Sequence, residues 1–141
     1  MSETIDRIAA IRGQLEARKR VAADAVAGWQ RYREEPHRFI TEGLGEFTWS
    51  KQTAIMESVR DNRYTAVPSC HGVGKSHCAA RVVAWWLATH PIGRAFAVTT
   101  APSFPQVRAI LWQQIHRAHS AGNLPGRINQ TEWWFGEELA A

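Results

Sequence analysis

The eight residues Ser69-Cys70-His71-Gly72-Val73-Gly74-Lys75-Ser76 constrain this chain more than any other stretch. Two glycines one residue apart, followed at once by lysine and serine, suit neither a helix interior nor a strand; they suit a loop that curls tightly. A β-prone run, Tyr64-Thr65-Ala66-Val67, leads into the loop, and a helical pattern runs from Lys75 to about Thr89, where His90-Pro91 stops it. Strand, glycine loop and helix form the setting in which G-x-x-x-x-G-K-[ST] binds phosphate. Gly74-Lys75-Ser76 fits the second half of that pattern. Ser69 stands where the first glycine is usual, and its hydroxyl can still stabilise the turn.

Each residue type has a chemical reason to be there. Successive backbone N–H groups from about His71 to Ser76 can curl into an anion-binding nest, which the start of the following helix reinforces. Lys75 is placed to meet the β- and γ-phosphates, and the Ser76 hydroxyl is a ligand for Mg²⁺. The competing reading is a glycine turn before a helix, with Lys75 simply solvated. The flanking strand and helix favour triphosphate binding.

The rest of the pattern predicts an α/β fold. A helix is expected over residues 3–30, with Ser2 as its cap and Ile5, Ile8, Ile11 and Leu15 at helical spacing. Its Arg18-Lys19-Arg20 run reads as a solvated face before it reads as a DNA or partner contact. Pro36 ends that region, and Gly43 and Gly45 make a loop. Ser50 can cap a second helix to about Asn62, with Ile55, Met56 and Val59 on its apolar side. The helix after the loop has Ala79, Val82, Val83, Trp86 and Leu87 as its expected buried stripe. A second strand, Ala95 to Thr99, precedes a turn and a helix capped by Ser103, with Val107, Ile110, Leu111 and Ile115 inward. Residues 127–141 show no clear period. The chain divides into an N-terminal helical segment, 1–38, and the first part of a nucleotide-binding α/β domain, 39–141, built on a parallel sheet.

Composition narrows the function classes. A chain of 141 residues can bury one core, and a net charge of +4 permits a polyanionic partner without requiring one. Cys70 and Cys78 are expected as reduced thiols, because a disulfide between them would lock the loop that has to wrap phosphate. With His71 and His77 they fit no zinc spacing, and Lys75 between them would repel the metal. The longest apolar run, Val82 to Ala88, is far short of the roughly 20 residues that span a membrane. The N-terminus lacks a secretory pattern, so a soluble, cytoplasmic protein is expected.

Trp49-Ser50-Lys51-Gln52 precedes the loop by about twenty residues. A glutamine amide both donates to and accepts from one adenine edge, and an aromatic ring stacks on its face. Gln52 with Trp49 or Phe47 could therefore select ATP. A surface glutamine beside a core tryptophan explains the same residues equally well.

Taken in order, three features resemble the phage terminase large subunit family: Trp49-x-x-Gln52, the variant loop from Ser69 to Ser76, and Val98-Thr99-Thr100-Ala101-Pro102-Ser103-Phe104-Pro105-Gln106-Val107. Ile110-Leu111-Trp112-Gln113-Gln114-Ile115 has the same flavour, and together these cover residues 39–135. The resemblance implies an additional-strand, helicase-like P-loop ATPase core with ATP and Mg²⁺ as ligands. It implies coupling of hydrolysis to double-stranded DNA translocation into capsids by a homo-oligomeric ring, in a bacterial host, with a small terminase subunit and a portal as partners. It also implies that Thr100 to Gln106 lies near DNA or relays the nucleotide state. Some members carry an arginine inside the loop; here Ser69, Cys70 and His71 stand there, leaving Arg81, Arg108 or Arg117 as candidates for serving a neighbouring subunit.

Hydrolysis also needs carboxylates for the metal and the attacking water. After the loop only Glu132, Glu137 and Glu138 are available, and Trp133-Trp134-Phe135-Gly136-Glu137-Glu138 makes a poor match for an acid-ending central strand. The expectation is therefore a truncated motor that binds nucleotide without turning it over by itself, with no nuclease domain. The alternatives are another helicase-like ATPase, a small kinase (which would need a lid that is not evident), or a non-enzymatic nucleotide- or partner-binding fragment.

Overall fold

The computed structural model describes residues 2–141, with only the backbone of Ser2; the cap expected of that side chain lies outside the described residues. Helix α1 runs from Ser2 to Ala27, about 39 Å at 1.5 Å per residue. Its isoleucines Ile5, Ile8 and Ile11 stay at least half exposed, and it is anchored by its last turn, where Val26 is buried. The chain then coils through a 3₁₀ turn, Gln30–Tyr32, a short helix α2, Pro36–Arg38, and a π-helical turn, Phe39–Gly43. Pro36 starts α2 instead of ending a region, as suits a residue with fixed φ and no N–H to lose in a first turn. Trp29, Tyr32 and Phe39 pack edge to face here, with Trp29 and Phe39 centroids 5.5 Å apart. A Cβ on Gly43 would stand 2.6 Å from the Trp29 ring, so any larger residue would push that ring aside.

Three longer helices complete the body: α3, Ser50–Asp61; α4, Lys75–Thr89; and the run that begins as α5, Phe104–Gln106, passes through a π turn, Val107–Trp112, and ends as α6, Gln113–Gly122. Helix α4 lies at the centre. Ala80, Ala84 and Ala88 recur every four residues along it, and their small side chains let α6 approach with Ile115 and Ala118. Trp85 is buried, and its indole N–H donates to the Tyr32 carbonyl at 3.0 Å, tying α4 to the N-terminal turns.

Two expected stripes are corrected. On α4, Leu87 is buried as expected, but Ala79 is exposed and Val82, Val83 and Trp86 are only half-buried. Ala79, Val82 and Val83 face the extended runs instead, across an open gap of about 470 Å³. In the last helix Ile110 is 51% exposed and Trp112 takes the inward place. A π turn adds a residue per turn and rotates everything beyond it, which a strict helical count misses.

The expected parallel-sheet P-loop core is not formed. The fold is mainly helical, and its only sheet among the described residues is a small antiparallel meander: β1, Arg127–Asn129; β2, Glu132–Phe135; β3, Glu138–Leu139, in the order β1-β2-β3. Tyr64–Val67 and Ala95–Thr99 are extended but make no ladder with each other. Among the described residues the first run has no backbone hydrogen bond, and the second has one, from the Ala97 N–H to the Ala140 carbonyl at 2.9 Å. Side chains hold them instead: Thr65 meets Ser58 at 3.0 Å, and Trp112 Nε1 donates to Thr99 at 3.1 Å. β-Propensity brings a backbone to an extended shape; a strand also needs a neighbour with which to exchange N–H and C=O groups.

The meander was not foreseen, because its strands are two to four residues long and carry no readable alternation. Gly126 makes it possible: φ is +94°, and a Cβ there would stand 2.6 Å from the Trp134 carbonyl and 2.7 Å from the Trp133 indole nitrogen. Trp133 is fully buried, donates to the Pro125 carbonyl and receives the His119 ring edge-on.

Candidate functional site

The glycine loop has the backbone geometry that its composition predicts. Gly72 and Gly74 take φ of +80° and +84°, the left-handed region that β-carbons disfavour, and Gly74 caps α4. The first bond to close onto α4 runs from the Cys78 N–H to the Gly74 carbonyl at 2.9 Å. Among the described residues, the backbone N–H groups from His71 to His77 donate to nothing in the chain. Free backbone donors at a helix start are the electrostatic setting in which anions bind.

Lys75 closes the loop on itself. Its ammonium donates to the Ser69 carbonyl at 3.2 Å and, in a short contact, to the Cys70 carbonyl. An arriving phosphate would compete for this ammonium with two neutral carbonyl oxygens, a contest that the charged acceptor wins. Among the described residues the Ser76 hydroxyl makes no hydrogen bond, whereas helical serines commonly bond back to the preceding turn. It is therefore free to serve as the metal ligand that the pattern implies.

Beside the loop lies a cavity of about 430 Å³, within the range of small-molecule sites. Trp49, Gln52 and Thr65 line one wall, and Ser69, Gly74 and Lys75 line the other. The fold thus brings the two separate sequence signals together. Trp49 is 43% exposed at the rim, whereas Phe47 is 83% exposed and outside the lining. Gln52 is nearly buried. Its Oε1 accepts the Trp49 N–H at a long 3.4 Å, and its Nε2 would be 3.0 Å from a Cβ on Gly74. Trp49 is thus the cap residue of α3, in place of Ser50, and Gln52 joins α3 to the phosphate loop. Of its amide, only the donor half remains for a ligand.

Behind the loop sits an ionic network that the sequence did not announce. Arg81 is 2% exposed; it donates to both oxygens of Glu46, at 2.7 and 2.6 Å, and to the backbone and side-chain oxygens of Gln114, each at 3.2 Å. His77 Nε2 lies 3.6 Å from Glu46. Burial, then the nearby Arg81 charge, lowers the His77 pKa below its usual range, with Glu46 and Gln114 opposing. The network fixes the first turns of α4 against the loop at Glu46 and against α6. One signal was available: Arg81 shares a helical face with Cys78, Ala84 and Trp85, a place where an unpaired charge could not stay. This confinement does not suit the role in trans expected as one option for Arg81, whereas Arg108 and Arg117 are exposed.

The remaining candidates are less connected. Cys70 and His71 are exposed on the loop, while Cys78 is buried with its thiol pKa raised by burial; neither cysteine is in a disulfide. No group of three or more potential metal-ligating side chains occurs among the described residues. Glu137 and Glu138 are exposed at the turn into β3, so the acid-ending run is the middle strand of a small antiparallel meander with its following turn, and not a central strand of a parallel sheet. Among the described residues no helix is long and apolar enough to cross a membrane. No family model, curated protein or solved structure matches the chain.

Proposed function

We propose that this chain captures the triphosphate of Mg²⁺·ATP in the loop from Ser69 to Ser76, with the base against Trp49, as the nucleotide-binding part of a terminase-like DNA-packaging motor. One observation carries the reading: a run of unpartnered backbone N–H groups, His71 to His77, contains two left-handed glycines, and its Val73, Gly74 and Lys75 line the same cavity as Trp49 and Gln52. In this reading the amides of His71 to His77 cradle phosphate oxygens, and Lys75 leaves the Ser69 and Cys70 carbonyls to neutralise the terminal phosphates. Ser76 would hold Mg²⁺, which supplies charge neutralisation between phosphate oxygens.

The support for a packaging motor is the ordered motif set and this site, since the small antiparallel sheet is not the sheet expected of such an engine. The cavity lining contains no carboxylate, so what these residues offer is capture of the nucleotide. Double-stranded DNA, a small terminase subunit, a portal and a ring of copies belong to the same proposal.

The test is a titration of Mg²⁺·ATP against tryptophan fluorescence, which Trp49 at the rim should report. Saturable binding that Lys75→Ala weakens at least tenfold is the expected result. An unchanged affinity in that variant would remove the phosphate loop from the site.

A further inference from the structure

The nucleotide cavity offers a base side-chain hydrogen-bonding atoms of one kind. Trp49, Lys51 and Gln52 line its α3 side, and no carboxylate is in the lining. Among the described residues the Trp49 indole N–H, the Lys51 ammonium and the Gln52 Nε2 have no hydrogen-bond partner, and all three are donors. The side-chain acceptors on this side are engaged: Gln52 Oε1 receives the Trp49 N–H at 3.4 Å, and the Ser58 and Thr65 hydroxyls bond each other at 3.0 Å. The Gln52 amide is held this way round. It is 8% exposed, and turning it over would set its Nε2 against the Trp49 N–H, donor against donor.

A donor without an acceptor treats the two purines differently from a whole amide. Adenine presents on one edge an acceptor, N7, and a donor, its 6-amino group; guanine presents two acceptors there, N7 and O6. A glutamine selects adenine by using both halves of its amide. Here the accepting half belongs to the cap of α3, so the free half suits N7 of either purine or O6 of guanine and has nothing for the adenine amine. The extended run Thr65–Val67 does not restore the distinction. Among the described residues its backbone N–H and C=O groups are unpaired, so it can meet a donor or an acceptor equally well.

We infer that this site takes guanosine triphosphate at least as tightly as ATP, because Gln52 presents a donor, and no acceptor, to the base lying on Trp49. The inference rests on the reading that the loop from Ser69 to Ser76 holds a triphosphate, and it widens the ligand from ATP to the purine triphosphates. Gln52 is then the residue that sets base specificity, through an amide whose orientation the start of α3 fixes.

The test is calorimetric titration of the chain with Mg²⁺·ATP, Mg²⁺·GTP and Mg²⁺·tripolyphosphate, the last reading the phosphate loop alone. In the wild type GTP should match ATP within a factor of about two or bind up to about fivefold tighter, the worth of one hydrogen bond. ATP tighter than GTP by more than that factor of about two would overturn the inference. Gln52→Glu keeps an oxygen for the Trp49 N–H and puts an acceptor in place of the free donor. Its negative charge should weaken every triphosphate, a loss that tripolyphosphate measures separately. The ratio of ATP to GTP affinity should move toward ATP by about fivefold. A ratio that stays put would overturn the role of Gln52. Tripolyphosphate binding as tightly as both nucleotides would overturn it too, since the base would be unheld while the phosphate reading stood. Saturation by none of the three would remove the phosphate reading, and this inference with it.

Discussion

The central helix α4 and the two extended runs that flank it, Tyr64–Val67 and Ala95–Thr99, are built from similar apolar residues and reach opposite ends of the burial scale. Leu87 and Trp85 on α4 are buried to 1–2% exposure, whereas Val98 is 76% and Tyr64 80% exposed. The helix satisfies its own backbone and needs neighbours only for its side chains. The extended runs need neighbours for both, and find side-chain anchors but almost no ladder. Apolar composition therefore states what a segment prefers, while the supply of hydrogen-bonding partners decides whether that preference becomes a buried element.

This contrast can be broken by substitution. Trp85→Ala removes a buried indole and its bond to Tyr32, and should cost about 3–5 kcal/mol, read as a drop in the urea midpoint. Arg81→Ala should cost about 3 kcal/mol, because Glu46 and the Gln114 carbonyl lose their partner at a site that admits little water. If Arg81→Ala were neutral, the network would be ornament and α4 would be held by apolar packing alone.

Acid should act on the helical side first. His77, His90 and His119 all have pKa values lowered in the fold, with burial as the main cause in each. The unfolded chain therefore takes up their protons before the native one does, and stability should fall as pH drops from about 7 through the ordinary histidine range. Glu42 and Asp61, held low by hydrogen bonds from Arg38 and Arg60, lose their native advantage only below about pH 4.5. A Tm that is flat between pH 7.5 and 5.5 would contradict the burial of these imidazoles.

The smallest effect belongs to the extended runs. Val98→Thr alters an exposed side chain and should change stability by less than about 0.5 kcal/mol. A loss as large as that of Trp85→Ala would mean that Val98 is covered in solution. Cysteine labelling offers a chemical version of the same comparison. A thiol reagent should modify exposed Cys70 quickly and buried Cys78 only on unfolding.

How much of this was readable from sequence follows the same division. Helices α1, α3 and α4 were legible because apolar spacing, glycine and proline are local signals, and their observed ends fall within a few residues of the expected ones, although the expected Ser50 cap of α3 is Trp49. Ile110 was placed inward and Trp112 was missed because a π turn leaves no mark in composition. The parallel sheet was inferred from two β-prone runs, their order around the glycine loop and the family resemblance, and its ladder did not form. The meander was missed because Gly126 and Trp133 specify it through tertiary contact. For the site, the glycines predicted the loop's backbone well. The sharing of one cavity by Trp49 and Gln52 with the loop depended on how α3 packs, and the lodging of Gln52 against Gly74 could not be seen in spacing.

The proposed nucleotide site stands or falls on the free amides of the loop. Backbone amide NMR during a titration with Mg²⁺·ATP observes them one by one. The account predicts the largest shifts at His71 through His77, saturating together with the Trp49 indole signal. Shifts that spare the loop, or a spectrum unmoved by saturating Mg²⁺·ATP, would contradict it.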